Sequence, residues 1–380
     1  MQLTLTHEFF FTYFSILHIK YFISNKCLYS NFLFFFTRLL FFKSEYQKND
    51  IDIPISVIVC VHNEFENIKK LLSALLNQKY SQYEIIIVDD RSGDELYDYL
   101  LFESLKQPLL RLIRINKSVD HITPKKYALT LGIKAAKYEY VLLTDADCLP
   151  TSEYWINEMQ KNFVNKKEIV LGFSPYKKEK GFLNEIIQFE TFYTALQYFS
   201  FSLAGLTYMG VGRNLGYKKS LFVINKGFNP HLRVVGGDDD LFVQQVAKKD
   251  NVQICISEIS QMVSIPKMNF SDWFKQKKRH LSVGKHYKLF YKILLGLLPF
   301  SQALFWLSSI FILVMGEFNL IFLAGFLIRF TLYLLILRAI ASKLKVGLSW
   351  YSLPIFDVIY VFYYFITGLT AVFTKRVRWS

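Results

Sequence analysis

At 380 residues the chain is long enough for one large domain or two ordinary ones. Hydrophobic residues make up 52% of it and aromatic residues 17%, with 37 Phe and 24 Tyr, and mean hydropathy is +0.22. This excludes a disordered chain, a collagen-like fibre and a small disulfide scaffold, and implies that part of the protein meets lipid. Against 31 Asp and Glu stand 45 Lys and Arg, a net charge of +14, which suits either nucleic acid or an anionic membrane surface.

The N-terminus, MQLTLTHEFFF, lacks the basic start and small-residue cleavage site of a secretory signal. Residues 9–42 are rich in Phe, Tyr, Ile and Leu but interrupted by His18, Lys20, Lys26 and Arg38, so one spanning or interfacial helix is expected there, centred on NFLFFFTRLLFF (31–42). The polar stretch from Lys43 to Asp52 reads as a linker, closing a hydrophobic anchor and linker over 1–49. Short apolar runs then alternate with helical stretches such as Glu66 to Asn77; the runs are ISVIVCV (55–61), YEIIIVDD (83–90) and YVLLTDAD (140–147). Continuous apolar strands separated by helices predict an α/β domain with a mostly parallel sheet covered on both faces, spanning 50–272. The four cysteines (Cys27, Cys60, Cys148, Cys255) are scattered without metal-ligand spacing, which points to a reducing, cytosolic setting.

From Lys275 to Lys292 there are seven Lys or Arg and no acid, interleaved with Tyr287, Phe290 and Tyr291. Directly before apolar helices, this favours a basic membrane-surface segment (273–292) over a nucleic-acid stripe, so membrane lipids and not nucleic acid are the expected partner. The region 293–380 predicts three transmembrane helices: Ile293–Met315 without charge, Phe318–Leu337 with Arg329, and Ser352–Phe373 with Asp357. The positive-inside rule puts the basic segment in the cytosol, but then leaves Lys375, Arg376 and Arg378 outside, so one of the three is expected to be re-entrant or interfacial.

Ligands of parallel α/β sheets bind beyond the carboxyl ends of the strands. Here those ends are acidic: Asp89 and Asp90, then Asp145 and Asp147, and farther on Asp238, Asp239 and Asp240 in VVGGDDDLF. An Asp-x-Asp can hold Mg²⁺ or Mn²⁺ with a few hard oxygens while diphosphate oxygens and water fill the remaining positions. Such a metal stabilises charge growing on a departing diphosphate.

The succession ISVIVCVHNE, EIIIVDDRSGD, TPKKYALTLGIKAAKYEYVLLTDADC, GGDDDLF and QKKRH resembles the family 2 glycosyltransferases of the GT-A fold over residues 54–284, with C-terminal helices resembling their integral-membrane members that make bacterial polysaccharides and glycolipids. The resemblance implies that His62, Asn63 and Glu64 cradle the uridine and ribose, and that Asp90, with Asp89 beside it, accepts from the nucleobase. Lys125 falls at the family's diphosphate lysine, although Pro124 stands where the family has Gly. Asp147 would ligate Mn²⁺ or Mg²⁺ directly, and Asp145 would contact the metal, the ribose or metal-bound water. Asp238 would deprotonate the acceptor hydroxyl, with Asp239 its rival. Arg213, in MGVGRNLGYKKSLF (209–222), would line the acceptor side, and Gln276 and Arg279 would approach acceptor and diphosphate. His280 replaces the Trp of the processive members' Gln-x-x-Arg-Trp, which argues against synthesis of long polymers.

The resemblance thus implies an inner-membrane, multi-pass enzyme with a cytoplasmic catalytic domain that moves a sugar, with inversion, from a nucleotide-sugar donor, a UDP-sugar, to a hydroxyl of a lipid-linked or glycan acceptor. The alternatives are transfer to a polyprenyl phosphate, whose nucleophile needs no strong base, and a non-catalytic nucleotide-binding membrane scaffold.

Overall fold

The runs ISVIVCV and YEIIIVDD are rich in β-branched residues, a composition suited to strands covered on both faces. In the computed structural model they form β1 (Ile55–Val61) and β2 (Tyr83–Asp90). The structure describes residues 34–44, 52–316, 320–349 and 351–373; most of the expected N-terminal anchor, its linker and the C-terminal cations lie outside these residues.

With β3 (Leu110–Ile115), β4 (Tyr140–Asp145), β6 (Ile169–Gly172), β7 (Leu215–Lys218) and β8 (Val252–Cys255), these strands build a seven-stranded sheet in the order β3-β2-β1-β4-β7-β6-β8. All pairings are parallel except those of β7, which is antiparallel to both neighbours. The mostly parallel sheet is the one expected. A small second sheet joins β5 (Cys148–Pro150) to β9 (Met262–Ser264). The run YVLLTDAD does not stay in one strand: β4 stops at Asp145, and Asp147 sits in the turn before β5.

Among the described residues twelve α-helices cover the sheet and extend it. Residues 34–41 form α1. It is followed by α2 (Phe65–Leu76), α3 (Leu96–Lys106), α4 (Pro124–Ala135), α5 (Trp155–Gln160), α6 (Phe182–Leu203), α7 (Lys219–Ile224), α8 (Asp240–Val246), α9 (Phe270–Val283), α10 (Leu289–Val314), α11 (Leu320–Lys343) and α12 (Leu353–Phe373). On one sheet face Val57, Val59, Ile85 and Ile87 pack with Ile68, Leu71, Leu72 and Leu75, which recur on one side of α2. On the other face Ile58, Ile86 and Val88 meet Ala128, Leu129 and Ile133 of α4, in a core that continues through α6 to Tyr333, Leu337, Ile340 and Phe356 of the C-terminal helices. Helix α6 is apolar around most of its circumference because both the sheet and the C-terminal helices cover it.

Two helices, Leu289–Val314 and Phe322–Lys343, are long and apolar enough to cross a bilayer. The third expected span differs. Its apolar stretch, Leu353–Gly368, is shorter, and it runs along the catalytic side: Phe356 stacks on Phe189 of α6 with centroids 5.0 Å apart, and Tyr363 on Trp273 of α9 at 5.7 Å. Asp357 is wholly buried and ties the three helices together. It accepts from Gln302 and from Trp306 Nε1 (2.9 Å) on α10, and from Arg329 (3.4 Å) on α11.

The basic segment also departs from expectation. Residues 270–283 are a helix docked on α12, with Trp273 and Lys277 buried. Lys277 pairs with Glu190 of α6. It is therefore part of a joint between α6 and α9, not a cation at a membrane surface.

Candidate active site

Strand register brings the acidic ends together. Val61 lies opposite Asp89 and Cys60 opposite Asp145, so the loop after β1, the end of β2 and the end of β4 share one edge of the sheet. The first loop is built on hydrogen bonds between strands. His62 Nδ1 donates to the Asp90 carbonyl (2.6 Å), and Asn63, in the left-handed region at φ 54°, donates its N–H to Ser92 Oγ (3.0 Å) and accepts from Gly93 N (2.8 Å). Asp89 has no exposed surface, and its Oδ1 accepts from Ser92 N at 3.0 Å, so it orders this turn from beneath. Both oxygens of Asp90 accept from Arg91, at 2.8 and 3.2 Å. Glu64 accepts from Asn67. Burial raises its pKa above the usual carboxylate value, with Asp147 and Asp145 adding to the rise, so it faces the same acids.

Pro124 starts α4 at its first position, where a missing N–H costs nothing, and so places Lys125 in the first turn. Its ammonium bridges Asp145 Oδ1 (2.9 Å) and Asp238 Oδ2 (3.3 Å). Burial works against that charge, but Asp145, Asp238 and Asp239 hold the lysine well above its usual pKa. For Asp145 burial likewise opposes the charge, and Lys125, helped by Arg213 and Arg279, more than offsets it and lowers the pKa. Asp147 goes the other way. Burial and the neighbouring Asp145 raise it, although it accepts from Cys148 Sγ (3.5 Å) and Ser264 Oγ (3.5 Å).

The three acids of GGDDDLF have separate partners. Asp238 is buried against Lys125. Asp239 caps α8, with Oδ1 on Asp240 N (2.8 Å) and Oδ2 on Gly212 N (2.7 Å). Asp240 accepts from Tyr287 OH at 2.6 Å. The turn requires its glycines: Gly237 has φ 71°, and a Cβ there would lie 2.7 Å from Leu241 Cδ1. Lys125, Asp145 and Asp238 line one recess of about 10 Å³ with Cys60, Thr144 and Gly212.

Arg213 lies 4.4 Å above the Tyr176 ring, and one of its terminal nitrogens is buried without a hydrogen-bond partner. Burial opposes its charge, while Tyr176, Cys148, Asp147 and Asp145 raise its pKa. Arg279 acts on Asp145 from α9, and Gln276 lies on the same helix, half-buried. The structure thus gathers Glu64, Lys125, Asp145, Asp147, Arg213, Asp238 and Arg279, while Asp89 and Asp239 serve the scaffold. His280, which stands where the processive members' motif has Trp, falls among the same cations. It lies exposed near the end of α9, and desolvation, then Lys277, Arg279, Arg213 and Lys125, shift its pKa below that of an ordinary histidine.

Two carboxylates, Asp145 and Asp147, suit a hard divalent cation. Among the described residues no cluster of three or more His, Cys, Asp or Glu forms a closed cage. The donor set is therefore open, as for a cation that shares its shell with a ligand's oxygens, and the unpartnered Arg213 nitrogen adds a donor for an anion beside it.

Residues 56–223 match the family model described as glycosyl transferase family 2. A poly-beta-1,6-N-acetyl-D-glucosamine synthase from Staphylococcus epidermidis is 34% identical over 130 residues, covering 33% of this chain and 30% of that protein. The UDP-Glc:alpha-D-GlcNAc-diphosphoundecaprenol beta-1,3-glucosyltransferase WfaP from Escherichia coli is 27% identical over 132 residues, covering 34% and 48%. The match thus spans less than half the length of either relative. Among solved structures, a mannosyltransferase from Pyrobaculum calidifontis in complex with GDP-mannose and Mn²⁺ superposes with a TM-score of 0.56 at 17% identity, covering 87% of this chain and 98% of that one. That likeness is one of fold.

Proposed function

We propose, from the match of residues 56–223 to the glycosyl transferase family 2 model, that the chain moves a sugar from a UDP-sugar to a hydroxyl of a lipid-linked or glycan acceptor, with inversion, at the cytosolic face of a membrane. The observation that carries the reading is the Asp145–Lys125–Asp238 bridge, 2.9 and 3.3 Å, at the carboxyl edge of the sheet. It sets a diphosphate-handling acid and a candidate base on either side of one cation.

The loop 62–64 takes the nucleoside. Asp90 accepts from the nucleobase in exchange for Arg91, whose side chain is already 32% exposed. Asp145 and Asp147 would hold Mn²⁺ or Mg²⁺, which, when bound, offsets the charge that grows on the leaving diphosphate. Arg213 supplies its buried donor to a diphosphate oxygen, and Arg279 adds positive charge from the α9 side. Lys125, held charged by the surrounding carboxylates, stands ready to share its ammonium with the diphosphate. Asp238 removes the proton of the acceptor hydroxyl as that oxygen attacks the anomeric carbon from the face opposite the leaving group. His280 offers the acceptor a hydrogen-bonding ring where a tryptophan would offer a stacking surface.

The test is nucleotide release by the full chain in membranes, offered UDP-glucose, UDP-N-acetylglucosamine and GDP-mannose with a lipid extract. Release is expected with a UDP-sugar, lost with EDTA and restored by Mn²⁺ or Mg²⁺, and lost in Asp147→Ala. Undiminished release after complete metal removal contradicts the metal assignment.

A further inference from the structure

Next to Lys125 on the first turn of α4, Lys126 is wholly buried. Its ammonium donates to two main-chain carbonyls, His231 O at 2.7 Å and Val234 O at 2.6 Å. Just before the helix, Thr123 N–H donates to Leu232 O at 3.1 Å. One helix end thus grips residues 231–234, the turn that leads through Gly236 and Gly237 to Asp238. On the far side this turn abuts α9, since a Cβ on Gly236 would lie 3.0 Å from Val283. A buried lysine is tolerated when its donors are paired, and these are paired with backbone. Burial draws Lys126 down to about 8, opposed by Asp238 and Asp239, so its charge also acts on the acid cluster.

We propose that Lys126 is a positioning residue for the acid turn, fixing segment 231–237 against α4 so that Asp238 is delivered to Lys125 and to the acceptor hydroxyl. The inference rests on the reading of Asp238 as base. Lys126 itself touches no reacting group. Because α4 also carries Lys125, one helix turn sets both halves of the site: Lys125 contacts Asp145 and Asp238 by its side chain, and Lys126 holds the backbone on which Asp238 is mounted. The donor side, built on β1, β2 and β4, does not depend on this tether.

The experiment compares the full chain with Lys126→Met, which keeps the apolar stem and removes the donors. Turnover is expected to fall about 10–100-fold, as for a displaced catalytic group. Donor KM and UDP affinity should stay within about threefold, and amide hydrogen exchange should rise in 231–237 but not in 62–64. Unchanged exchange at 231–237 overturns the tether whatever the activity, and so does a folded variant with normal turnover or with turnover and UDP affinity falling together. If Lys126→Met does not fold, Thr123→Pro is judged by the same criteria. It removes the neighbouring N–H tether at a position whose φ of −69° a proline accepts. A wild-type chain that releases no nucleotide from any donor counts against the transfer reading instead, and the exchange result then decides the tether alone.

Discussion

Three consecutive aspartates, 238 to 240, end in three different environments, and those environments assign them different work. Asp239 has both oxygens committed to backbone N–H groups and Asp240 to a tyrosine hydroxyl, while among the described residues Asp238 pairs with the ammonium of Lys125. A general base must be free to change partners, which favours Asp238. Asp238→Asn is therefore expected to lower transfer about 10²–10⁴-fold and to leave UDP affinity within a small factor. Asp239→Ala removes a helix cap and is expected to cost about 0.5–2 kcal/mol of stability. Titration calorimetry with UDP, a transfer assay and thermal unfolding separate the two variants. Normal transfer by Asp238→Asn alongside collapse in Asp239→Asn would shift the base by one residue, and full activity in both would favour a polyprenyl phosphate acceptor.

At the scale of elements, what could be read in the sequence was what local pattern encodes. Apolar runs ending in acids disclosed β1, β2, β4 and the edge on which Asp90 and Asp145 sit. Pairings between distant segments left no such trace. Lys277 looked like one more cation in a basic stripe because Glu190, its partner, is 87 positions away. Lys126 carries no motif signal, because its donors reach a turn more than a hundred residues on. That α6 and α9 would cover the third expected span left no trace either. The Glu190–Lys277 pair makes this testable. Both side chains are about a tenth exposed or less, so Glu190→Ala leaves a buried ammonium and is expected to cost about 3–5 kcal/mol, most of it recovered in Glu190→Ala/Lys277→Met. Denaturant unfolding of the single and double variants in detergent measures it, and equal losses in both would show that the pair is not the source.

For the whole molecule, the two long apolar helices are fixed to the sheet domain at one end each, and this determines which way they face. Before α10, Tyr287 binds Asp240 and the Lys288 N–H donates to Gln244 of α8 (2.9 Å). After α11, Gln261 donates to the Leu344 carbonyl (2.8 Å), and the Lys343 ammonium donates to the Leu40 carbonyl near the end of α1. The entry of α10 and the exit of α11 therefore lie on the side of the catalytic domain, and the turn near Met315 lies at the opposite end of the hairpin. The charges agree with this geometry: Lys285, Lys288, Lys292, Arg338, Lys343 and Lys345 flank the domain side, whereas the sequence from Met315 to Leu320 carries only Glu317. By the positive-inside rule this distribution supports the proposed placement of the domain side in the cytosol. A membrane-impermeant maleimide applied to intact cells is thus expected to label Met315→Cys and to label Lys106→Cys, on the outer helix α3, only after lysis, in a chain with Cys27 and Cys60 replaced by serine. The two positions differ in one respect that matters, the side of the hairpin on which they fall. Labelling of Lys106→Cys in intact cells with Met315→Cys protected would put the catalytic domain outside, away from the cytosolic pool of nucleotide sugars, and would remove the proposed donor along with the topology.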